Sequence, residues 1–288
     1  MLTLKIARDD ALRPRIPHNG DPTLEEWDND GLFYGYKQIS KDNFHLYLDK
    51  FAIYRFTHGE NEVVAFPEPG IQDDMLFDIF QRAVLPMAVQ AIRPEYEIIH
   101  SSAVLSSHGV IALCGFGHTG KSTLAYAMSK RNYDFWADDT VAFAVKGQRI
   151  KAVPLSASRI RLRQPSIEFF GFNHTEGVAQ RGGENGSALK VRSASFRALC
   201  VLKRSAELEG VRVVEIRRLY SSEAFSAVLD HAICFSLNDK MRKRRMMQNY
   251  LMLAERVPVL EVRFRPGLEN LEALIERIDC AIAEFTPE

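Results

Sequence analysis

Cysteine is scarce in this sequence, and long apolar runs are missing. The four cysteines are far apart and form no C-x-x-C pair, which excludes a disulfide framework or zinc site and predicts reduced core residues. No apolar run approaches ~20 residues, so we expect no membrane-spanning helix. Charged residues begin too near the N-terminus for a signal peptide, and we therefore expect a cytoplasmic protein.

An excess of charge of either sign is also missing. Lys plus Arg and Asp plus Glu each number 37, and the formal net charge is zero. This balance argues against non-specific nucleic-acid binding, so we expect neither a nucleic-acid nor a membrane partner. The length of 288 residues and the 46% apolar content are typical of a globular protein with one large domain or slightly more.

A phosphate-loop motif stands near the middle of the chain. Residues 115–122 read G-x-x-x-x-G-K-S, with an apolar run before them and a helix-compatible segment after them. Glycines at 115, 117 and 120 allow positive φ and let backbone N–H groups surround phosphate oxygens; the alternative is a glycine-rich turn that caps an ordinary helix. Lys121 would contact the β and γ phosphates, and the Ser122 hydroxyl is placed to ligate Mg²⁺. The predicted nucleotide-binding residues are Gly115, Phe116, Gly117, His118, Thr119, Gly120, Lys121, Ser122 and Thr123.

An acidic pair follows this loop closely. We expect a strand over residues 135–145 with Asp138 and Asp139 embedded in it, where carboxylates are unfavourable unless a cation or hydrogen bonds satisfy them. One carboxylate would hold a metal and the other contact the substrate, and a plain turn pair is the alternative. Residues 98–114 predict a hairpin, so the strand that enters the loop would have an antiparallel neighbour.

Three further segments are rich in charge or glycine. Arg159, Arg161 and Arg163 alternate along a predicted strand and form either a solvated face or a contact for phosphate or an acidic substrate. The basic cluster at residues 240–245 is either a solvated helix face or a docking surface for an acidic peptide. The glycine-rich residues 173–187 are either a functional loop, for which we expect a mobile lid, or a disordered segment.

Periodicity places the remaining regular elements. Predicted strands lie in residues 44–66, 198–216 and 257–264, and predicted helices in residues 72–92, 221–235 and 268–285. Pro86 should divide or kink the first of these helices. Residues 1–35 are rich in Pro, Asn, Asp and Gly and predict turns with few regular elements.

Three segments at close spacing resemble those of a known family. They are His100 to Val104, the phosphate loop and Ala137 to Thr140, and together they resemble the HPr kinase-like family, whose fold is shared with phosphoenolpyruvate carboxykinase. The chain is also similar to the small kinases found beside lasso-peptide biosynthesis genes, which phosphorylate a precursor peptide on a terminal serine. The resemblance implies an α/β fold with a mixed sheet and a catalytic, ATP-binding domain over residues 71–288. A small β-rich region over residues 1–70 would precede it.

The resemblance also implies roles for individual residues. ATP would lie on the phosphate loop, Ser122 and Asp139 would hold Mg²⁺ with Mn²⁺ as the alternative, and Asp138 would receive the proton of the acceptor hydroxyl. His100 would lie by the γ-phosphate, and the alternative is a strand histidine whose ring is satisfied by the backbone. Glu168 loosely resembles part of a glutamate segment of HPr kinase and joins the three alternating arginines as a candidate substrate contact. The predicted catalytic residues are Asp138, His100 and Lys121.

The function that these observations favour is an ATP-dependent kinase. Its acceptor would be a serine hydroxyl of a peptide or small protein, such as a lasso-type precursor peptide. Two alternatives stay open: a kinase for a small metabolite such as free serine, and a nucleotide-binding regulatory module without transfer chemistry. The number of subunits is also open, a homo-oligomer included.

Overall fold

The computed structural model describes residues 2–15, 24–29, 32–153, 155, 159–171, 178–180, 193–208, 213–233 and 239–285. The chain forms two compact units, Met1–Tyr96 and Glu97–Glu288. This division falls later than the boundary expected after residue 70. The reason is that the helices after residue 70 belong to the same compact unit as the N-terminal strands. Tyr54 in this unit donates a hydrogen bond of 3.5 Å to the carbonyl of Leu76 in the first helix.

The N-terminal unit is built on a six-stranded sheet. Its strands are β1 Thr3–Ile6, β2 Glu25–Asn29, β3 Leu32–Gln38, β4 Asn43–Leu48, β5 Ala52–Thr57 and β6 Glu62–Pro67. The order is β1-β6-β5-β4-β3-β2, in which β1 and β6 are parallel and the other pairs antiparallel. The expectation of few regular elements in residues 1–35 is wrong, because pairing with β3 and β6 orders segments whose local composition signals only turns.

A basic row crosses one face of this sheet. Lys37, His45 and Arg55 lie directly opposite one another on adjacent strands. Burial lowers the pKa of His45 to about 4, and the charges of Arg55 and Lys37 act in the same direction. The other face is apolar, and Phe44 and Phe56 stack there with ring centroids 5.8 Å apart.

A divided helix completes the first unit. It consists of α1 Asp73–Ile79, a π-helical turn Phe80–Val84 and α2 Leu85–Ile92. Pro86 lies in the first turn of α2, where its missing N–H is least costly, so the predicted division at this proline is confirmed. The stretch Asp73–Ile92 is long and apolar enough to cross a membrane by length and composition, although no such helix was expected, and half of its most apolar part is buried.

The second unit is built on a ten-stranded mixed sheet. Its strands, with the separate pair β13 and β14, are β7 Tyr96–Ile99, β8 Ser101–Ser106, β9 Gly109–Cys114, β10 Asp134–Ala137, β11 Val141–Lys146, β12 Arg149–Val153, β13 Arg159–Arg161, β14 Val178–Gln180, β15 Ala194–Arg204, β16 Val214–Leu219, β17 Ala232–Ile233 and β18 Val259–Phe264. Its helices are α3 Lys121–Ser129, α4 Gln164–Phe169, α5 Ser221–Leu229, α6 Lys240–Arg256 and α7 Leu271–Phe285.

Strand β9 lies inside this sheet and is buried along its whole length. Its neighbours are β8, antiparallel as predicted, and β15, parallel; β15 in turn pairs with β18 in parallel. Helices α3 and α7 pack on one face of the sheet, and α5 and α6 pack on the other. The carboxyl ends of β9, β15 and β18 therefore meet at one edge, the position where open α/β sheets bind ligands.

Two predicted features differ from the structure. The single strand expected over residues 135–145 is two strands, β10 and β11, with Asp138 and Asp139 in the bend between them and Asp139 at φ 60°. The bend places both carboxylates beyond the end of a strand, so they are not embedded in the sheet. Cys280 is exposed on α7, whereas Cys114 and Cys200 are buried as expected.

Candidate active site

The phosphate loop joins the end of β9 to the start of α3. Gly115 has φ 156°, and a Cβ there would lie 3.2 Å from both the Leu202 carbonyl and the Thr119 side chain. Gly120 precedes the helix with φ 108°. Gly117 does not have positive φ, whereas His118 does, at 67°. Of the three glycines expected to allow positive φ, Gly115 and Gly120 therefore adopt it and Gly117 does not.

Lys121 lies at the centre of this loop and is 6% exposed. Its ammonium donates to the carbonyls of Gly115 at 2.8 Å and Phe116 at 3.4 Å. Burial lowers the pKa of Lys121, while the nearby carboxylates of Asp139 and Asp138 act in the opposite direction. Both carboxylates thus lie close enough to the loop lysine to affect its pKa.

The Asp138 carboxylate accepts hydrogen bonds from two hydroxyl groups. Its Oδ1 accepts from the Ser122 hydroxyl at 2.8 Å and from the Ser102 hydroxyl at 2.5 Å. Ser122 lies in the first turn of α3, and Ser102 is fully buried in β8, the strand that pairs with β10. The resemblance pairs Ser122 with Asp139, but in the structure its hydroxyl contacts Asp138.

These oxygen atoms suit a hard cation. A hydroxyl and a carboxylate at the phosphate loop are the kind of ligands that Mg²⁺ takes, and it completes its shell with phosphates and water. No group of three or more His, Cys, Asp or Glu side chains forms a metal site within the described ranges. A magnesium ion held mainly by a nucleotide does not require such a group.

Two histidines lie beside the lysine. The ring Nδ1 of His100 is 3.0 Å from the carbonyl oxygen of Asp139, and its backbone N–H donates to the carbonyl of His231 at 2.7 Å. Burial and the charge of Lys121 lower the pKa of His100, and Asp139 opposes that shift. The ring of His231 contacts the ring of Phe116 in the loop, with centroids 5.3 Å apart.

Comparison with known proteins adds little to this geometry. No protein-family model matches the sequence, and no curated protein matches it. Among solved structures, the chain is similar to the HPr(Ser) kinase/phosphatase from Coxiella burnetii, with 11% sequence identity and a TM-score of 0.35. The similarity covers 64% of this chain and 97% of that one. The likeness is distant.

The segment containing the alternating arginines contacts the loop. The Arg163 guanidinium contacts both ring nitrogens of His118, with Nε2 at 3.1 Å. The hydroxyl groups of Thr123 in α3 and Ser166 in α4 are 2.9 Å apart. Arg163 is therefore brought to the phosphate loop, as the substrate-contact prediction requires.

The other predicted substrate residues are not brought to the loop by a described contact. Arg159 and Arg161 lie in β13, and their side chains fall outside the described part of the structure. Glu168 is exposed and accepts a hydrogen bond of 2.8 Å from Gln164, one helical turn away. Most of the predicted lid over residues 173–187 also lies outside the described residues.

The basic cluster at the start of α6 is only partly available for docking. Arg242 is buried and donates to both carboxylate oxygens of Glu97, at 2.5 and 2.7 Å. The other basic residues of the cluster are exposed. Arg242 is therefore neither on a solvated face nor available to an acidic peptide, because it lies on the buried face of the helix.

Three residues of the site are absent from the predicted set. Ser102 lies in the segment that carries the resemblance, but has no role assigned there. Arg204 ends β15 and donates from Nε to the Thr119 carbonyl at 3.2 Å, a position that parallel pairing with β9 explains. His231 lies far along the chain and carries no local signal.

Proposed function

We propose that this protein is an ATP-dependent kinase that transfers a phosphoryl group to the serine hydroxyl of a peptide or small protein. The observation that supports it is the hydrogen bond of 2.8 Å that the Ser122 hydroxyl donates to the Asp138 carboxylate. Asp139 also lies close to Lys121. Two carboxylates beside a polyphosphate site repel the ligand unless a metal ion lies between them or one accepts a proton. Phosphoryl transfer meets both conditions, because a metal ion binds the phosphates and a carboxylate accepts the proton of the acceptor hydroxyl.

The chain supplies each part that this reaction needs. Backbone N–H groups of the loop would bind the phosphates, and Lys121 would balance charge at the β and γ positions. The acceptor oxygen forms a bond to the γ phosphorus as the bond to the β–γ bridging oxygen breaks, and ADP leaves. The hydroxyl proton passes to an aspartate carboxylate. Mg²⁺, when bound, neutralises charge on the phosphates.

The two aspartates would divide the remaining roles. The resemblance makes Asp138 the base and places Asp139 with Ser122 at the metal. The hydrogen bond between Ser122 and Asp138 supports the reverse division, in which Asp139 receives the proton. Asp138→Asn and Asp139→Asn distinguish the two: the variant of the metal-side residue should need more Mg²⁺ for half-maximal rate. The variant of the base should lose rate at every Mg²⁺ concentration.

The test is direct. The protein is incubated with ATP, Mg²⁺ and a lasso-type precursor peptide, and the peptide mass is measured. A gain of one phosphate, lost in Lys121→Ala, is the expected result, and free serine as competing acceptor tests the metabolite alternative. Tight ATP binding by calorimetry without transfer to either acceptor would contradict the proposal and favour a regulatory module.

A further inference from the structure

His231 is a buried histidine between the phosphate loop and His100. It is 4% exposed and lies in the turn between α5 and β17. Its carbonyl accepts the backbone N–H of His100, and its ring contacts the Phe116 ring. The carbonyl of the same Phe116 accepts a hydrogen bond from Lys121. The imidazole of His231 therefore lies next to the residue that holds the loop lysine.

The ring nitrogens of His231 have no hydrogen-bond partner among the described residues, and the side chain is almost completely buried. A side chain that is 4% exposed normally has a polar partner, and a phosphate oxygen on the loop would supply one. Burial lowers the pKa of His231 to about 4, His100 and Lys121 act in the same direction, and Asp230 opposes them. The ring is therefore neutral at physiological pH and carries one N–H donor.

We propose that the His231 imidazole donates a hydrogen bond to the terminal phosphate of bound ATP. The inference rests on the proposed function, because it needs a nucleotide on the phosphate loop. The lysine of this motif contacts the β and γ phosphates, and His231 lies beside both Lys121 and His100. A neutral donor there adds a hydrogen bond to a charged oxygen without adding another cation.

Nucleotide binding, measured by calorimetry, tests the proposal without requiring turnover. The probes are Mg²⁺ complexes of AMP-PNP and of ADP, which differ by the terminal phosphate. His231→Phe keeps an apolar ring against Phe116 but removes the N–H. We expect it to weaken AMP-PNP binding about tenfold, the effect of losing one hydrogen bond to a charged group, and to leave ADP binding unchanged. His231→Gln retains a donor and should restore part of the preference for AMP-PNP.

The matched control is His108→Phe, since His108 is exposed in the turn between β8 and β9 and should change neither affinity. Thermal unfolding of each variant checks that the fold is kept. Equal weakening of both nucleotides in His231→Phe, or no change in either, overturns the inference and leaves the proposed function standing. Failure of the unmodified protein to bind either nucleotide overturns both.

Discussion

Removing the Ser102 hydroxyl should slow phosphoryl transfer while the fold is kept. Ser102→Ala deletes one of the two donors to Asp138 Oδ1 in a fully buried position and leaves the Ser122 bond in place. A hydrogen bond to a charged group contributes about 1.5–3 kcal/mol. If Asp138 must be held in one position during transfer, this loss corresponds to a decrease of about 10- to 150-fold in kcat/KM.

The neighbouring Ser101 provides a matched control. It is also fully buried in β8, but its hydroxyl has no hydrogen-bond partner among the described residues. Initial rates of peptide phosphorylation, measured against ATP concentration, separate kcat from KM. We expect Ser102→Ala to lower kcat with little change in KM for ATP, because Lys121 keeps its contacts. Equal rates for Ser102→Ala and Ser101→Ala would refute the reasoning.

Three further predictions concern stability. Glu97→Ala should destabilise the second unit by about 3–5 kcal/mol in urea unfolding, because it leaves the buried Arg242 without its anion. Gly120→Ala should lower the free energy of unfolding by about 1–2 kcal/mol, because φ is 108° at that position. Gly117→Ala should leave the free energy of unfolding nearly unchanged. The folded-state pKa of His45 lies near 4, below its ordinary 6.5, so the unfolded chain binds more protons in that range. Stability should therefore fall as the pH is lowered from 6.5 to 4, and His45→Asn should reduce that dependence.

Each of these predictions has its own check. The double variant Glu97→Leu with Arg242→Met removes both members of the buried ion pair and should recover most of the stability lost in Glu97→Ala. No recovery would contradict the ion-pair explanation. Equal effects of the two glycine variants would contradict the assigned loop conformation. For the histidine, the readout is the thermal midpoint across the acid range, and an unaltered slope in His45→Asn would remove it as the titrating group.

The sequence by itself determined the parts of this protein that are contiguous in the chain. The phosphate loop was predictable because a strand, eight motif residues and a helix follow one another directly. The hairpin before it and the division of the helix at Pro86 were predictable for the same reason, since turn and proline chemistry act locally. The approach of the acidic pair to the loop also followed from its short separation from Lys121.

Only the tertiary structure decided which distant residues complete the site. Ser102 reaches Asp138 because β8 pairs with β10, and Arg204 reaches the loop because β15 pairs in parallel with β9. His231 lies just after the end of α5, where no local pattern distinguishes it from an ordinary core histidine. Strand pairing and helix packing depend on free energy gained between segments far apart in sequence, which periodicity and spacing do not report.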